Sequence, residues 1–388
     1  MTIRIDKLGA VIALMVAYGG LVAPFAIFRA NRIVPGEARS LIEALPPAVA
    51  TGLAIVLAAV ACMALLRLPV SLRLAAAGLA LCALAVSIGL AARFLTPDGD
   101  SYARVAPGSG VWILLSAFAL LAADAIARLG PPPWIRLLLL AAVLAAVGAV
   151  LLSGLWDNLS ILKEYAGRAD VFWQEAGKHV TLALGSLLAA VVAGLPLGIL
   201  CHRVKRLRAG VLNLLNLIQT IPSIALFGLL IAPLGWIAVH VPGAYALGIR
   251  GIGAAPAFVA LFLYSLLPVT ANTVAGLAGV AREVNEAARG VGMTGTQRLL
   301  RIELPLATPV ILTAIRIVLV QNIGLATIAA LIGGGGFGVF VFQGIGQMAM
   351  DLVLLGALPT VALAFAAAVI LDAAIEMKAP VFNRNKVA

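Results

Sequence analysis

Apolar runs of about twenty residues, separated by short polar connectors, fill almost the whole chain. A helix rises about 1.5 Å per residue and the hydrocarbon layer is about 30 Å thick, so roughly 20 apolar residues cross it. On that measure the pattern predicts ten spans, at 9–28, 46–66, 74–92, 109–127, 135–153, 177–200, 211–232, 255–278, 307–332 and 353–373. The expected fold class is all-α, a polytopic membrane helix bundle of about 10 transmembrane helices, because a helix pairs its own backbone groups where no water reaches them. The first run is too long and uninterrupted for a cleaved leader and is expected to stay in the mature chain.

The pattern breaks for about two dozen residues after position 153, at LWDNLSILKEYAGRADVFWQEAGKH. Leu155, Trp156, Leu159, Leu162 and Tyr165 recur there at near-helical spacing, which predicts an interfacial helix, and Trp156 and Trp173 suit a membrane–water boundary. The expected organisation is an N-terminal region of five spans (1–153), a periplasmic interfacial segment (154–176) and a core of five spans (177–378) that carries a cytoplasmic loop at 283–305.

Composition agrees with the pattern. The chain is 63% hydrophobic and 11% charged with a mean hydropathy of +1.12, far from the roughly 45–50% and 25% of soluble domains. A net charge of +11 in a soluble protein would point to nucleic acid. Here the basic residues sit in short connectors, the pattern that sets membrane orientation, so no nucleic-acid partner is expected. With a cytoplasmic amino terminus, 17 of the 27 lysines and arginines fall on the cytoplasmic side and 9 on the other, with Arg316 inside a span. That bias predicts a multi-pass protein with both termini cytoplasmic. Cys62, Cys82 and Cys201 lie in or beside apolar runs and read as packing residues. His179, His202 and His240 have no metal-ligand spacing and read as interfacial, so no metal site is expected. Gly333 to Gly336 resembles a phosphate loop only superficially: no Lys-Ser or Lys-Thr follows and no strand precedes it, which leaves a flexible break on the outer side. No catalytic constellation is present, so the chain is not expected to be an enzyme.

One connector is ordered beyond what a linker needs: EAARGVGMTGTQRLLRIELP, from Glu286 to Pro305. Ala287, Ala288 and Gly290 are small enough for close helix approach, and Gly292 can supply the positive φ of a turn between two short helices. Thr294 followed by Gln297 reads as a capping box. Leu299, Leu300, Ile302 and Leu304 give the second helix an apolar side for a groove, with Arg298 and Arg301 toward polar rims, and Pro305 marks the start of the next span.

Polar residues inside spans have two readings, pore lining or hydrogen bonding between helices. Asn213, Asn216 and Gln219, three apart, stack on one helix face and lead to Thr220 and Pro222; Gln321 and Asn322 carry the same pair of readings, and Asn272 reads as structural. For Arg316 the alternatives are snorkelling to the cytoplasmic face and gating.

Glu286, Ala287, Ala288, Gly292, Ile302, Leu304 and Pro305 fall position for position on a pattern of seven fixed residues. In it the loop resembles the coupling loop of permease subunits of binding-protein-dependent ABC importers. The stretches LIQTIPSIALFGLL, GIGAAPAFVALFLYSLLPVTANT and VQNIGLATIAALIGGGGFG are similar to those of glycine betaine, choline and carnitine permeases. The resemblance covers about residues 170–378, and the first five spans depart from it. It implies a type I ABC importer permease core in a bacterial inner membrane. Its implied partners are ATP-binding cassette ATPase subunits, a second identical or homologous permease, and a periplasmic or membrane-tethered substrate-binding protein. It implies no cofactor on this chain, with ATP and Mg in the ATPase, and an osmoprotectant as solute. An amino-acid permease and a secondary transporter are the alternatives; inverted repeats and mid-membrane charges, marks of the latter, are not evident in the sequence.

Overall fold

The computed structural model describes residues 6–378 except Ile33, Arg67, Asp98 and Ser101. Arg4, Arg67, Arg384 and Lys386, which enter the orientation count, lie outside the described residues. The chain forms two compact units, one ending at Gly167 and one beginning at Arg168.

The first unit contains α1 (Lys7–Leu21), β1 (Ala26–Arg29), β2 (Glu37–Arg39), α2 (Leu41–Ala44), α3 (Pro47–Leu65), α4 (Val70–Leu95), β3 (Arg104–Pro107), α5 (Ser109–Leu129), α6 (Pro133–Leu152) and α7 (Ser160–Ala166). Ile12 and Val16 of α1, Leu57 of α3, Ala77 and Leu84 of α4, and Leu114, Phe118 and Leu121 of α5 belong to one buried core. Helix α6 buries only Pro133 and Leu140, as suits a helix whose apolar sides meet lipid. The first predicted span, 9–28, is shorter than expected. Helix α1 ends at Leu21, and residues 26–29 leave it to pair antiparallel with β2 and β3 in a three-stranded sheet ordered β2-β1-β3.

That sheet gathers connectors whose ends the span pattern places on one side: residues 26–39, 104–107, and, through a bridge between Val105 and Leu159, the segment after α6. The opposite ends of α1, α4 and α5 meet in an ion cluster. Arg73 Nη1 lies 2.9 Å from Asp6 Oδ2 and 3.5 Å from Asp124 Oδ2, while Arg128 reaches Asp6 at 3.2 Å and Asp124 at 2.9 Å. Burial works against ionisation of Asp6, but hydrogen bonding and charge from Arg73, with Arg128 adding, hold its carboxyl below the usual carboxylate range. Alternating ends of successive helices thus fall on two distinct faces.

Helices α1 and α3 approach so closely at Gly9 that a Cβ there would sit 1.8 Å from the Ala64 carbonyl oxygen, whereas one at Gly52 meets nothing within 4 Å. Gly9→Ala is therefore expected to cost about 1–3 kcal/mol through overpacking. Gly52→Ala should be neutral or stabilising by up to about 1 kcal/mol. Thermal unfolding of the two purified variants checks the contrast.

The second unit contains α8 (Ala169–Arg203), α9 (Lys205–Thr220), α10 (Ser223–Leu229), α11 (Ile231–His240), α12 (Ala254–Ala278), α13 (Arg282–Gly290), α14 (Gly295–Arg298), a π turn at Leu299–Glu303, α15 (Leu304–Ala326), a 3-10 turn at Ile328–Ile332, α16 (Gly338–Gly346) and α17 (Met350–Lys378). Helices α8, α12 and α15 build its core, with Ala183, Leu187, Val269, Val318 and Ile323 in one buried cluster and Leu182, Leu261 and Tyr264 in another. The predicted seventh span, 211–232, is not one helix. Helix α9 stops at Thr220, because Pro222 lacks a donor and keeps Ile221 out of helical geometry, and the chain restarts at Ser223. The stretch long and apolar enough to cross is Ser223–His240. Among the described residues nine helical runs meet that measure, with α1 as a shorter apolar helix.

Candidate functional site: the helical loop 282–305

Helix α13 ends in a turn whose hydrogen bonds define the role of Gly292. The Met293 N–H donates to the Ala288 carbonyl at 3.1 Å and the Gly292 N–H to the Arg289 carbonyl at 2.9 Å, while Gly292 has φ +82°. This is a Schellman closure with glycine at the left-handed position. The next residue but one opens α14 through the capping box read from the sequence: the Thr294 N–H donates to Gln297 Oε1 at 2.9 Å and the Gln297 N–H to Thr294 Oγ1 at 3.3 Å. Glu286 accepts from Arg282 Nε at 2.7 Å one helical turn away. Both side chains are solvent-exposed, so this pair adds little stability and leaves the carboxylate at the surface.

Pro305 stands in the first turn of α15, where the sequence placed the start of the span, but the chain stays helical from α14 into it. Without an N–H, Pro305 cannot donate to the Arg301 carbonyl, and the turn before it widens: the Leu304 N–H reaches back to the Leu299 carbonyl in the π turn. This register change also reassigns the side chains. Leu299 and Leu304 pack against Leu277, Ala307 and Ile311 of the bundle rather than outward, Ile302 is half-buried, and Arg298, expected at a polar rim, is buried. Ala288 is buried while Ala287 is exposed. The outward surface carries Val291 and Leu300, 79% and 59% exposed, among Arg282, Glu286, Arg289 and Arg301.

Sequence reading missed the residue that anchors this loop. Glu303, in the π turn, is 4% exposed and accepts from Arg203 Nη2 at the end of α8 at 2.7 Å. Nothing in the local pattern distinguished Glu303 from the loop's other charges; the partner lies a hundred positions away.

The polar residues of the spans separate by environment. Asn213 and Asn216 are exposed along α9, and the Thr220 hydroxyl donates to the Leu217 carbonyl. Gln219 and Tyr264 mend two proline defects together. Pro268 cannot donate to the Tyr264 carbonyl, and Gln219 Nε2 does so instead at 2.7 Å; the Tyr264 hydroxyl in turn donates to the carbonyl of Ile221, beside Pro222. Asn322 is fully buried, donating to Ser186 and Ser265 hydroxyls at 3.0 and 2.9 Å, so α15 is tied to α8 and α12 in the interhelical manner. Gln321 is half-buried, and Asn272 donates to the Pro268 carbonyl. Arg316 does not stand alone: it pairs with Asp372 of α17.

The glycine run is held rather than loose. The Gly336 N–H donates to Glu175 Oε2 at 2.6 Å and the Phe337 N–H to His179 Nδ1 at 3.3 Å. His179 is thus fully buried against Phe337, not interfacial. Among the described residues no group of three or more His, Cys, Asp or Glu side chains is placed to hold a metal ion.

Comparison with known proteins decides the family. Residues 181–379, which include every residue of this loop, match the family described as "Binding-protein-dependent transport system inner membrane component". The chain belongs to that family. Residues 6–162, for which the sequence offered no resemblance, match "ABC transporter permease YehY, N-terminal domain". The permease half is 44% identical over 181 residues to the osmoprotectant import permease protein OsmW of Salmonella typhimurium, covering 47% of this chain and 79% of that protein. It is 36% identical over 187 residues to the choline transport system permease protein OpuBB of Bacillus subtilis, covering 48% and 79%. With the glycine betaine/carnitine/choline transport system permease protein OpuCB of the same organism the identity is 34% over 190 residues, covering 49% and 80%. The chain is accordingly a multi-pass permease subunit of the binding-protein-dependent ABC class, not an enzyme.

Proposed function

We propose that this permease imports a small osmoprotectant, a quaternary amine such as glycine betaine or choline, driven by ATP hydrolysis in partner ATPase subunits that dock on the loop 282–305. The observation that carries the reading is the loop itself. One side presents Val291 and Leu300 ringed by charge, and the other is ion-paired through Glu303 to α8. A displacement of the loop is therefore passed to a core helix as a rigid push, which can bias a bundle between outward and inward openings. The names of the relatives support the solute class. The implied assembly is two permeases, two ATPases and a substrate-binding protein in a bacterial inner membrane, with the loop and both termini cytoplasmic. ATP and Mg belong to the ATPase, and the residues of this chain have no part in holding them.

A permanent cation bearing methyl groups is best held by an aromatic cage. The chain has 5 Trp and 5 Tyr, few for that purpose. Selection then rests with the binding protein, while the permease offers a weakly polar path past Asn213, Asn216, Gln219, Thr220 and Gln321 that lets the solute leave, Asn322 serving the helix packing instead. Uptake of betaine, choline, carnitine and polar and cationic amino acids by vesicles holding the assembled complex tests the assignment: a quaternary amine is expected to be preferred. Clear preference for an amino acid over all quaternary amines would remove the solute class and leave the importer. Cysteine labelling checks orientation, with positions in 284–304 expected to react only from the cytoplasm and positions in 157–172 only from the periplasm.

A further inference from the structure

On the sheet side of the first unit, the end of α4, Pro97, Gly99 and Asp100 after it, and α7 line an open recess of about 860 Å³. Its lining brings together Arg93, Arg104, Lys163, Asn158 and Asp100. Among the described residues the cations are short of counter-charge. Arg93 Nη2 donates to the Gly154 carbonyl at 2.9 Å and Lys163 Nζ to the Ala103 carbonyl at 2.8 Å, both neutral acceptors. Asp100 spends Oδ1 on the N–H groups of Tyr102 and Ala103. The nearest described carboxylate to Arg104 is that of Glu164, at 3.9 Å, and Arg32 draws on the same oxygen from 3.6 Å.

Arg104 has a sharper deficit. Its Nε and Nη1 are buried from solvent and meet no acceptor among the described residues. A buried guanidinium donor left unmade is costly and asks for a partner. Burial, then the charge of Arg104, also lowers the pKa of Lys163 against the opposing pull of Asp100, the effect of crowding cations in one place.

Depth narrows the chemistry. Helix α4 has 26 residues and so a length of about 39 Å, more than the roughly 30 Å hydrocarbon layer. Arg93 in its last turn, and with it the recess, then stands at the level of lipid headgroups, where phosphate is the abundant anion. The wide mouth suits a group that arrives tethered. We propose that this recess is a phosphate-binding site, with Arg104, Lys163 and Arg93 as the charged donors and the headgroup of an anionic phospholipid as its occupant. The site is independent of the loop 282–305 and of the solute assignment.

The test uses the full chain in nanodiscs of phosphatidylcholine with and without phosphatidylglycerol. After exchange into detergent, phosphatidylglycerol retained per protein is counted by mass spectrometry. The wild type is expected to retain it, and Arg104→Gln combined with Lys163→Gln to lower retention by about tenfold or more, since each removes a charge-assisted bond. Arg39→Gln, a cation on the same sheet outside the recess, is expected to leave retention unchanged. Should the double variant misfold, the two single variants carry the comparison. A second arm adds inorganic phosphate at constant ionic strength to discs of phosphatidylcholine alone. A thermal shift in the wild type that the variants lack, without selective lipid retention, keeps the phosphate site and removes the lipid as its source. Equal retention and equal shifts in wild type and variants overturn the site.

Discussion

Arg203→Ala is expected to destabilise the permease more than Glu303→Ala, and the double variant to resemble Glu303→Ala. The two groups form one ion pair at 2.7 Å, but their surroundings differ: the arginine side chain is 37% exposed and the carboxylate 4%. Removing Arg203 strands a buried carboxylate, which on general grounds costs about 3–5 kcal/mol. Removing Glu303 frees a guanidinium that can turn to water, so the loss should be nearer the 1 kcal/mol of a half-exposed pair. Arg203 also lies in the last turn of α8, where a cation is favoured by the helix dipole. Thermal unfolding of the three variants in one detergent gives the cycle. Equal, additive losses would mean the contact is incidental. In the assembled complex the pair should also matter to coupling, so that Glu303→Gln raises the ATP hydrolysed per solute moved; an unchanged ratio would leave the pair as a structural tie only.

Gly292→Val is expected to leave the protein inserted yet to uncouple hydrolysis from uptake. Its φ of +82° is one that a β-branched residue resists, at a cost of about 1–3 kcal/mol. No neighbour lies within 4 Å of where a Cβ would be, so the strain is confined to the backbone turn and does not reach the bundle. The turn must then open, and with it the hydrogen bonds from Gly292 and Met293 that fix the angle between α13 and α14. A graded series follows from the same argument: Gly292→Asn should be mildest, Gly292→Ala intermediate and Gly292→Val most severe, because asparagine tolerates left-handed backbone best of the three. The readout is uptake divided by ATPase rate in proteoliposomes. Wild-type ratios across the series would show that the Schellman turn is dispensable for coupling.

Much of this molecule is written locally. Runs of apolar residues long enough to cross a bilayer fix helices without reference to their neighbours, because unpaired backbone is so costly in lipid. The capping box at Thr294 and Gln297 and the glycine turn at Gly292 are equally local, each set by residues within a few positions, and they were readable with the loop's family pattern. Proline was readable only in part: the apolar pattern runs on through Pro222 and puts Pro305 at the start of a span, while whether the chain breaks, as before Ser223, or widens into a π turn, as at Leu299–Glu303, depends on surrounding contacts.

What only the tertiary structure decided involves partners far apart in sequence. Glu303 became an anchor because α8 brings Arg203 to it, and Arg316 gained Asp372 across 56 positions. His179 became a buried acceptor because the Gly336–Phe337 backbone folds over it. Gln219 and Tyr264 acquired their task because Pro268 inside α12 and the break at Pro222 between α9 and α10 left carbonyls without donors. The three-stranded sheet is the same kind of case, since segments of three or four residues such as 26–29 and 104–107 have too little pattern to show as strands until each supplies the other's hydrogen bonds. Sequence alone determined that this chain is a membrane bundle with one ordered polar loop, through hydrophobic length and local turn chemistry. Which charges hold that loop to the core was decided by packing, because an ion pair between two helix ends exists only once both helices are in place.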